Sequence, residues 1–228
     1  MSIFAASTKG TIAWFEHHEA LGSFSFRREI FHNHSCDSEF RYLRKSVGGL
    51  LAAACQCELV LVNLRDDCVI VATLDIKTCW DCEFSPSGEH LAMWNCSDKV
   101  LVYASSSGWA QVASLSHDEV LQRTLLTVCF ERTGHDVLIA DAHGGVSTWQ
   151  IPADGAEWPR TPRRQIKSDT EWTHWGNLQF SSDGAYIFTD SNEGVQLYAV
   201  QDDAVVLVSD FAAHEVRNIV SVVGFLTT

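Results

Sequence analysis

Three segments of the chain repeat one order of apolar and polar positions. Each has an apolar run that ends in Phe, a polar turn with Gly four positions later, a second apolar run, a polar corner and a third run that ends in an aromatic residue. The segments are residues 82–103, 128–149 and 178–198. Short apolar runs separated by glycine-containing turns are typical of β-strands. The pattern therefore predicts three copies of an antiparallel β-meander.

The turns keep their register from copy to copy. The Phe residues are separated by 46 and then 50 positions, and each is followed by its glycine at the same distance. Glycine closes a tight turn because it adopts positive φ without steric cost. We expect turns on one face of the molecule at Ser87-Gly88, Thr133-Gly134 and Asp183-Gly184. Residues at equivalent repeat positions should be buried between the units, namely Phe84, Phe130, Phe180, Leu91, Val137 and Ile187.

Fainter copies extend the pattern toward the N-terminus. Residues 48–63 match residues 88–103 with Gly48 under Gly88, and residues 3–14 resemble the end of a further unit with Trp14 in the place of Trp149. Three intervening apolar runs are predicted to be outermost strands, at 68–74, 109–115 and 204–210. The unit length of roughly 40–50 residues is that of a four-stranded propeller blade. We predict an all-β propeller of about five blade units, a single domain over 1–228 that is incomplete or open.

The connections resemble those of WD repeats. Ser116-His117 and Ala213-His214 stand where many WD repeats have Gly-His, and Trp149-Gln150 stands in place of the Trp-Asp pair. The chain thus resembles the WD-repeat propeller family, in degenerate form, over essentially its whole length. Proteins of this family serve mainly as interaction platforms.

The order of the segments also resembles one family of WD-repeat proteins. SPSGEHLAMWNCSDKVLVY followed by VLIADAHGGV at 137–146 is similar to the non-catalytic WD-repeat subunit of tRNA (guanine-N7)-methyltransferase. The resemblance implies a scaffold that is not an enzyme itself, that binds and stabilises a catalytic methyltransferase subunit and meets tRNA through that partner. It implies a nuclear location, with the cytoplasm as the alternative. The alternative function is a general WD-repeat adaptor in another complex.

The same resemblance implies a partner-binding edge at one polar corner. Its residues are Asp141, Ala142, His143, Gly144 and Gly145, together with Ser191 at the next unit's corner. The family usually has Lys and a second Asp where this chain has Ala142 and Gly145, and a basic residue near the position of Ser191. Charged groups at an interface rim set register and association rate. Because those charges are missing here, we expect a bulky side chain at position 144 to weaken binding of the partner more than the removal of a charged side chain would.

One basic cluster lies in the longest connection between units, and its residues are Arg160, Arg163, Arg164 and Lys167. Arginine beside the aromatic Trp158 suits contact with RNA or an acidic partner, and the alternative is a solvated loop. The chain as a whole carries a net charge of −13. This acidity is the opposite of the basic surface that a phosphate backbone selects, so we expect a partner to hold any nucleic acid.

Eight cysteines raise the question of a metal site or disulfides. Cys55-Gln-Cys57 and Cys79-Trp-Asp-Cys82 have short spacings that zinc ligands share. They also fall in predicted strands and a hairpin corner, where Cys acts as a small hydrophobic side chain. Without a secretory signal or a long apolar segment, we expect reduced core thiols, no metal, no cofactor and no membrane contact.

Overall fold

The computed structural model describes most of the chain. The described residues are 2–6, 11–18, 23–31, 42–55, 57–76, 79–95, 99–116, 125–131, 133–141, 144–152, 156–167, 178–181, 184–191, 194–202 and 204–212. Within them the chain forms β-strands and one short 3₁₀ turn at Ser105–Ser107, and no helix that is long and apolar enough to cross a membrane. The predicted all-β class is confirmed.

The described strands form five consecutive sheets. Sheet 1 contains β1 (Ser2–Ala6), β2 (Thr11–His18) and β3 (Ser23–Phe31). Sheet 2 contains β4 (Tyr42–Lys45), β5 (Leu50–Ala54), β6 (Glu58–Asn63) and β7 (Val69–Asp75). Sheet 3 contains β8 (Cys79–Phe84), β9 (His90–Asn95), β10 (Lys99–Ala104) and β11 (Ala110–Ser116). Sheet 4 contains β12 (Leu125–Phe130), β13 (Asp136–Asp141), β14 (Gly145–Gln150) and β15 (Arg164–Lys167). Sheet 5 contains β16 (Leu178–Phe180), β17 (Tyr186–Ser191), β18 (Gly194–Val200) and β19 (Val205–Ala212).

Each sheet is an antiparallel meander, and the sheets follow one another as propeller blades. Within each sheet, every strand pairs with its neighbour in sequence. The first strands of successive sheets lie side by side, in the order β1, β4, β8, β12 and β16. This arrangement confirms the predicted open β-propeller-like fold. The predicted outermost strands are also confirmed, as β7, β11 and β19.

The two faces of the array carry different connections. In sheets 2 to 5 the first-to-second and third-to-fourth connections lie together, because the last residue of the third strand or the one after it donates its N–H to a carbonyl beside the first turn. These bonds are all 2.8 Å long and join Leu64 to Gly49, Ser105 to Glu89, Ile151 to His135 and Val200 to Ala185. We call this side the turn face. The second-to-third connections lie on the opposite side, the corner face, since antiparallel strands reverse direction at each step.

The predicted glycine turns are confirmed and share one geometry. Each glycine N–H donates to the carbonyl three residues earlier, and φ lies between 71° and 85° at Gly49, Gly88, Gly134 and Gly184. In three of these turns a buried serine also accepts an N–H from the first residue of the second strand. These bonds join Leu50 to Ser46 (2.9 Å), His90 to Ser85 (3.0 Å) and Tyr186 to Ser181 (2.9 Å). Serine side chains commonly satisfy turn backbone in this way.

The alignment of the two fainter copies is wrong by one residue. Gly49, not Gly48, donates to Ser46 and has the positive φ, because this turn is one residue shorter than the turn of sheet 3. In sheet 1 the β-bulge precedes Phe15, just as bulges precede Tyr103 and Tyr198 in the third strands of sheets 3 and 5. Phe15, not Trp14, therefore holds the third-strand aromatic position.

The described residues form four hydrophobic cores, one between each two successive sheets. In each core an aliphatic face of one sheet meets the face of the next sheet, as Val100 and Val102 of sheet 3 meet Phe130 and Trp149 of sheet 4. The six residues predicted to be buried between blades are at most 5% exposed. They line up in register across the strands, since Phe84 pairs with Leu91 and Leu91 with Tyr103. The prediction of their burial is confirmed.

Candidate partner-binding site

The predicted partner-binding corner lies between β13 and β14 on the corner face. Its two ends are tied together, because Asp141 Oδ1 accepts the Gly145 N–H at 2.9 Å and the Asp141 carbonyl accepts the Gly144 N–H at 3.3 Å. Ala142 and His143, which lie between these ends in sequence, are outside the described residues. An Asp side chain that bonds backbone N–H groups ahead of it is a common turn-closing device.

Burial changes the roles of the corner residues. Asp141 is 0% exposed, and Gly144 and Gly145 are also buried. Asp141 therefore stabilises the corner and presents no surface to a partner. Gly144 has a φ of 79°, a conformation in which a bulky side chain is strained. Bulk at Gly144 would disturb the corner itself, so the expected loss of docking would not identify an interface.

Ser191 occupies the equivalent corner of sheet 5. It is the last residue of β17 and pairs in register with Gly194, just as Asp141 is the last residue of β13. The two predicted corners thus lie on the corner face of neighbouring blades.

The basic cluster is divided between the two faces. Arg163 and Arg164 lie at the turn-face end of β15, and Lys167 ends the same strand in register with Gly145. Four residues of strand span about 10 Å, so Lys167 belongs with the partner-binding corner. The alternative prediction for this segment was a solvated loop. It is wrong for residues 164–167, which form the outermost strand of sheet 4. Sequence reasoning missed it because RQIK is short and has a single apolar residue.

The two turn-face arginines already have acidic or carbonyl partners. Arg163 Nη1 lies 3.6 Å from Asp136 Oδ2, and Arg164 Nη1 lies 3.5 Å from Asp202 Oδ1. Arg164 also donates to the Gln201 carbonyl, which links sheet 4 to the connection before β19. These contacts reduce the charge that either arginine offers to RNA, whereas Arg160 is exposed. RNA contact by the cluster stays a prediction.

Asp136 is a buried carboxylate beside this cluster. The residue is 8% exposed, and its Oδ1 has no hydrogen-bond partner among the described residues. Burial raises the pKa of Asp136 above its ordinary value of 3.8; Arg163 and His135 oppose the rise and Glu131 adds to it. The fold therefore favours the protonated form. The stability that this group contributes is full below pH 3.8 and is lost as pH rises through the folded-state pKa.

We predict that Asp136→Asn stabilises the protein relative to the wild type, and increasingly so as pH rises from about 4 to about 7. The ion pair lost with Arg163 costs little, since the Arg163 side chain is 64% exposed. Urea unfolding of both proteins across this pH range measures the difference. A difference that does not vary with pH would show that the carboxylate does not titrate differently on folding.

The described cysteines mostly behave as small core residues. Cys55, Cys68, Cys79, Cys82 and Cys129 are buried and are not disulfide-bonded, and Cys79 and Cys82 lie in β8 as expected. Cys57 is disulfide-bonded, so the expectation of reduced thiols throughout is wrong at this position. Among the residues that the structure describes, no three His, Cys, Asp or Glu side chains are grouped to hold a metal ion.

Solved structures share the fold at low sequence identity. A protein from Lactobacillus plantarum superposes with a TM-score of 0.67 at 14% identity, over 92% of this chain and 68% of its own. A "putative 6-phosphogluconolactonase" from Bacteroides uniformis superposes with a TM-score of 0.67 at 13% identity and the same coverage. No known protein family and no curated protein matches the sequence. At this identity the likeness shows the fold alone.

The prediction that the chain is not an enzyme is wrong, because the fold does not exclude enzymatic activity. It was based on a resemblance to non-catalytic propellers, but a solved structure with the same fold is named for an enzyme activity. A fold can carry many unrelated functions, and catalysis depends on the site. The propeller therefore gives no ground for excluding an activity of the chain.

Proposed function

We propose that the chain binds and stabilises the catalytic subunit of a tRNA (guanine-N7)-methyltransferase through the corner face of sheets 4 and 5. The observation that supports this most is the register of β15, which brings Lys167 beside Gly145. The family carries Lys directly after the corner Asp, and this chain has Ala142 there. In this proposal Lys167 takes the place of that cation, because its backbone pairs with Gly145 in the neighbouring strand.

The rigidity of the corner supports the proposal as well. Asp141 accepts hydrogen bonds from the Gly144 and Gly145 N–H groups, so the described part of the corner is held in a fixed conformation. A binding loop that is already ordered loses less conformational entropy when a partner docks. In this proposal Asp141 is a positioning residue, Lys167 and His143 provide the polar contacts, and Ser191 marks the neighbouring corner.

The test compares two charge reversals on opposite faces. Lys167→Glu is expected to weaken binding of the purified catalytic subunit from the same organism by at least about tenfold, or about 1.4 kcal/mol. Arg160→Glu makes the same charge change in the exposed turn-face connection of sheet 4, and it should change affinity by less than about twofold. Isothermal titration calorimetry at two salt concentrations measures both, with thermal melting as the check on folding.

Three outcomes would count against the proposal. If the wild-type chain does not bind the catalytic subunit, the methyltransferase assignment is wrong and another partner must be sought. If both reversals weaken binding equally, the chain binds this partner but not through the corner face. If neither has an effect, Lys167 does not replace the missing cation.

A further inference from the structure

Two positions of the chain have a hydroxyl residue directly before a proline. The chain has four prolines, and the pairs in which Ser or Thr comes first are Ser85-Pro86 and Thr161-Pro162. Proline fixes its own φ, has no N–H to donate and keeps the residue before it extended. A serine/threonine kinase that selects proline after the acceptor residue would therefore find its sequence pattern at both places.

The structure excludes the first of these pairs as an acceptor in the folded chain. Ser85 is 3% exposed in the first turn of sheet 3. Its Oγ accepts the His90 N–H at 3.0 Å and lies 3.2 Å from Ser87 Oγ. The hydroxyl is thus part of the turn, and an enzyme reaches it only if the turn unfolds.

Thr161 has the opposite environment. It is exposed in the connection between β14 and β15, on the turn face and outside any strand. Two anchors hold this connection on either side of it. Trp158 packs on the core between sheets 3 and 4, and the Arg163 N–H donates to the Thr148 carbonyl at 2.8 Å. The Thr161 hydroxyl can therefore enter an active-site cleft without the breaking of a strand pairing.

The charges around the two pairs differ in the same direction. Three arginines lie within three residues of Thr161, at positions 160, 163 and 164, in a chain whose net charge is −13. The pair at residue 85 is followed instead by a serine, a glycine and a glutamate. Kinases select substrates partly by charge, and basic residues after the acceptor favour a kinase with an acidic substrate cleft.

Arg163 is placed to bind a phosphate at Thr161. A phosphothreonine carries a charge of about −1.5 to −2 and forms strong charge-assisted hydrogen bonds with arginine. Arg163 Nη1 lies 3.6 Å from Asp136 Oδ2, and the Arg163 side chain is 64% exposed. Because an ion pair of so exposed a side chain contributes little, the guanidinium can turn to a new anion two residues away.

We propose that Thr161 is the acceptor residue of a proline-directed serine/threonine kinase and that Arg163 binds the resulting phosphate. In this reaction Thr161 Oγ1 attacks the γ-phosphorus of ATP. The bond between that phosphorus and the bridging oxygen breaks, ADP leaves, and the hydroxyl proton passes to the catalytic base of the kinase. The site lies on the turn face, so it is independent of the partner proposed for the corner face.

Phosphorylation of the folded chain in vitro tests the acceptor. The chain is incubated with a purified proline-directed kinase of the cyclin-dependent type, Mg²⁺ and ATP, and the phosphopeptides are identified by mass spectrometry. About one phosphate per chain is expected, on Thr161. Pro162→Ala should lower the rate by at least about tenfold, because it removes the residue that the kinase selects.

Pro159→Ala is the matched control. It removes a proline from the same connection without changing the residue after Thr161, and it should alter the rate by less than about twofold. Circular dichroism confirms that both variants are folded. The acceptor assignment is overturned if Thr161 of the folded wild type stays unmodified, if the two proline variants lose rate equally, or if Ser85 is modified as fast as Thr161.

Phosphorus NMR of the phosphorylated chain tests the role of Arg163. A neighbouring guanidinium favours the doubly charged phosphate, so the second pKa of the phosphate should be lower in the wild type than in Arg163→Ala. Arg65→Ala removes an exposed arginine from the turn-face connection of sheet 2 and should leave this pKa as in the wild type. Equal values in the wild type and Arg163→Ala would show that Arg163 does not bind the phosphate.

Discussion

Replacing Trp149 by Ala is expected to lower the free energy of unfolding by about 3–5 kcal/mol. Trp149 is 1% exposed in the core between sheets 3 and 4, where its ring contacts residues from both blades. Its indole Nε1 also donates to Ser147 Oγ at 3.1 Å, so the change removes a buried hydrogen bond as well as a large apolar side chain. Chemical denaturation followed by circular dichroism measures the loss.

Trp158 is the matched control for this substitution. It is a half-buried residue that packs on the margin of the same core and contacts His90 edge to face at 6.3 Å. Because less of its surface is removed from water, Trp158→Ala should cost clearly less than Trp149→Ala. Equal losses would show that blade-to-blade packing at Trp149 is not what holds sheets 3 and 4 together.

The meander and its turns could be predicted from sequence because they depend on local chemistry. The glycine that ends SPSG, ERTG or SSDG fixes the turn. The turn then determines which residues of the two flanking apolar runs pair with each other. Once the turn is fixed, Phe84 lines up with Leu91, and the polar corner after β9 then lines Leu91 up with Tyr103, as the structure shows. The prediction of interblade burial therefore followed from the turn positions.

The weaker copies could not be placed to the residue because their irregularities are not visible in the pattern. A bulge adds one residue to a strand without changing its apolar composition. The bulge before Phe15 moves the aromatic position by one, and a turn shorter by one residue moves the glycine from Gly48 to Gly49. Both shifts follow from hydrogen bonding between strands, which a single sequence does not display.

The candidate site shows a similar division. The sequence located the Asp141 corner, but a resemblance cannot tell a residue that supports a loop from one that touches a partner. The 0% exposure of Asp141 and its bond to Gly145 identify it as a support. Lys167 and the corner are separated by a long connection in sequence, and only the pairing of β15 with β14 brings them together.

The turn glycines also hold neighbouring blades at close range, and Gly184→Ala is expected to cost about 2–4 kcal/mol. Two terms add. Gly184 has a φ of 71°, which an L side chain adopts at a cost, and a methyl group there would overlap Leu138 Cδ1 of sheet 4. Leu138 is itself 7% exposed within the core between sheets 4 and 5, so it has little room to move away.

Two other glycines separate the backbone cost from the packing cost. Gly108 has a φ of 66° with nothing within 4 Å of an added methyl, so Gly108→Ala should show the backbone cost of about 1–2 kcal/mol alone. Gly134 has a φ of 75° and would place the methyl 3.6 Å from Pro86 of sheet 3, an ordinary contact, so it should behave like Gly108. Urea denaturation of the three variants gives the comparison.

If Gly184→Ala costs no more than the other two, Leu138 repacks freely, and the packing between sheets 4 and 5 is looser than the burial of its residues implies. If it costs more, and Gly184→Ala combined with Leu138→Ala loses less than the two single changes added together, the clash is the cause. The turn glycine then sets the spacing between these two blades as well as the turn.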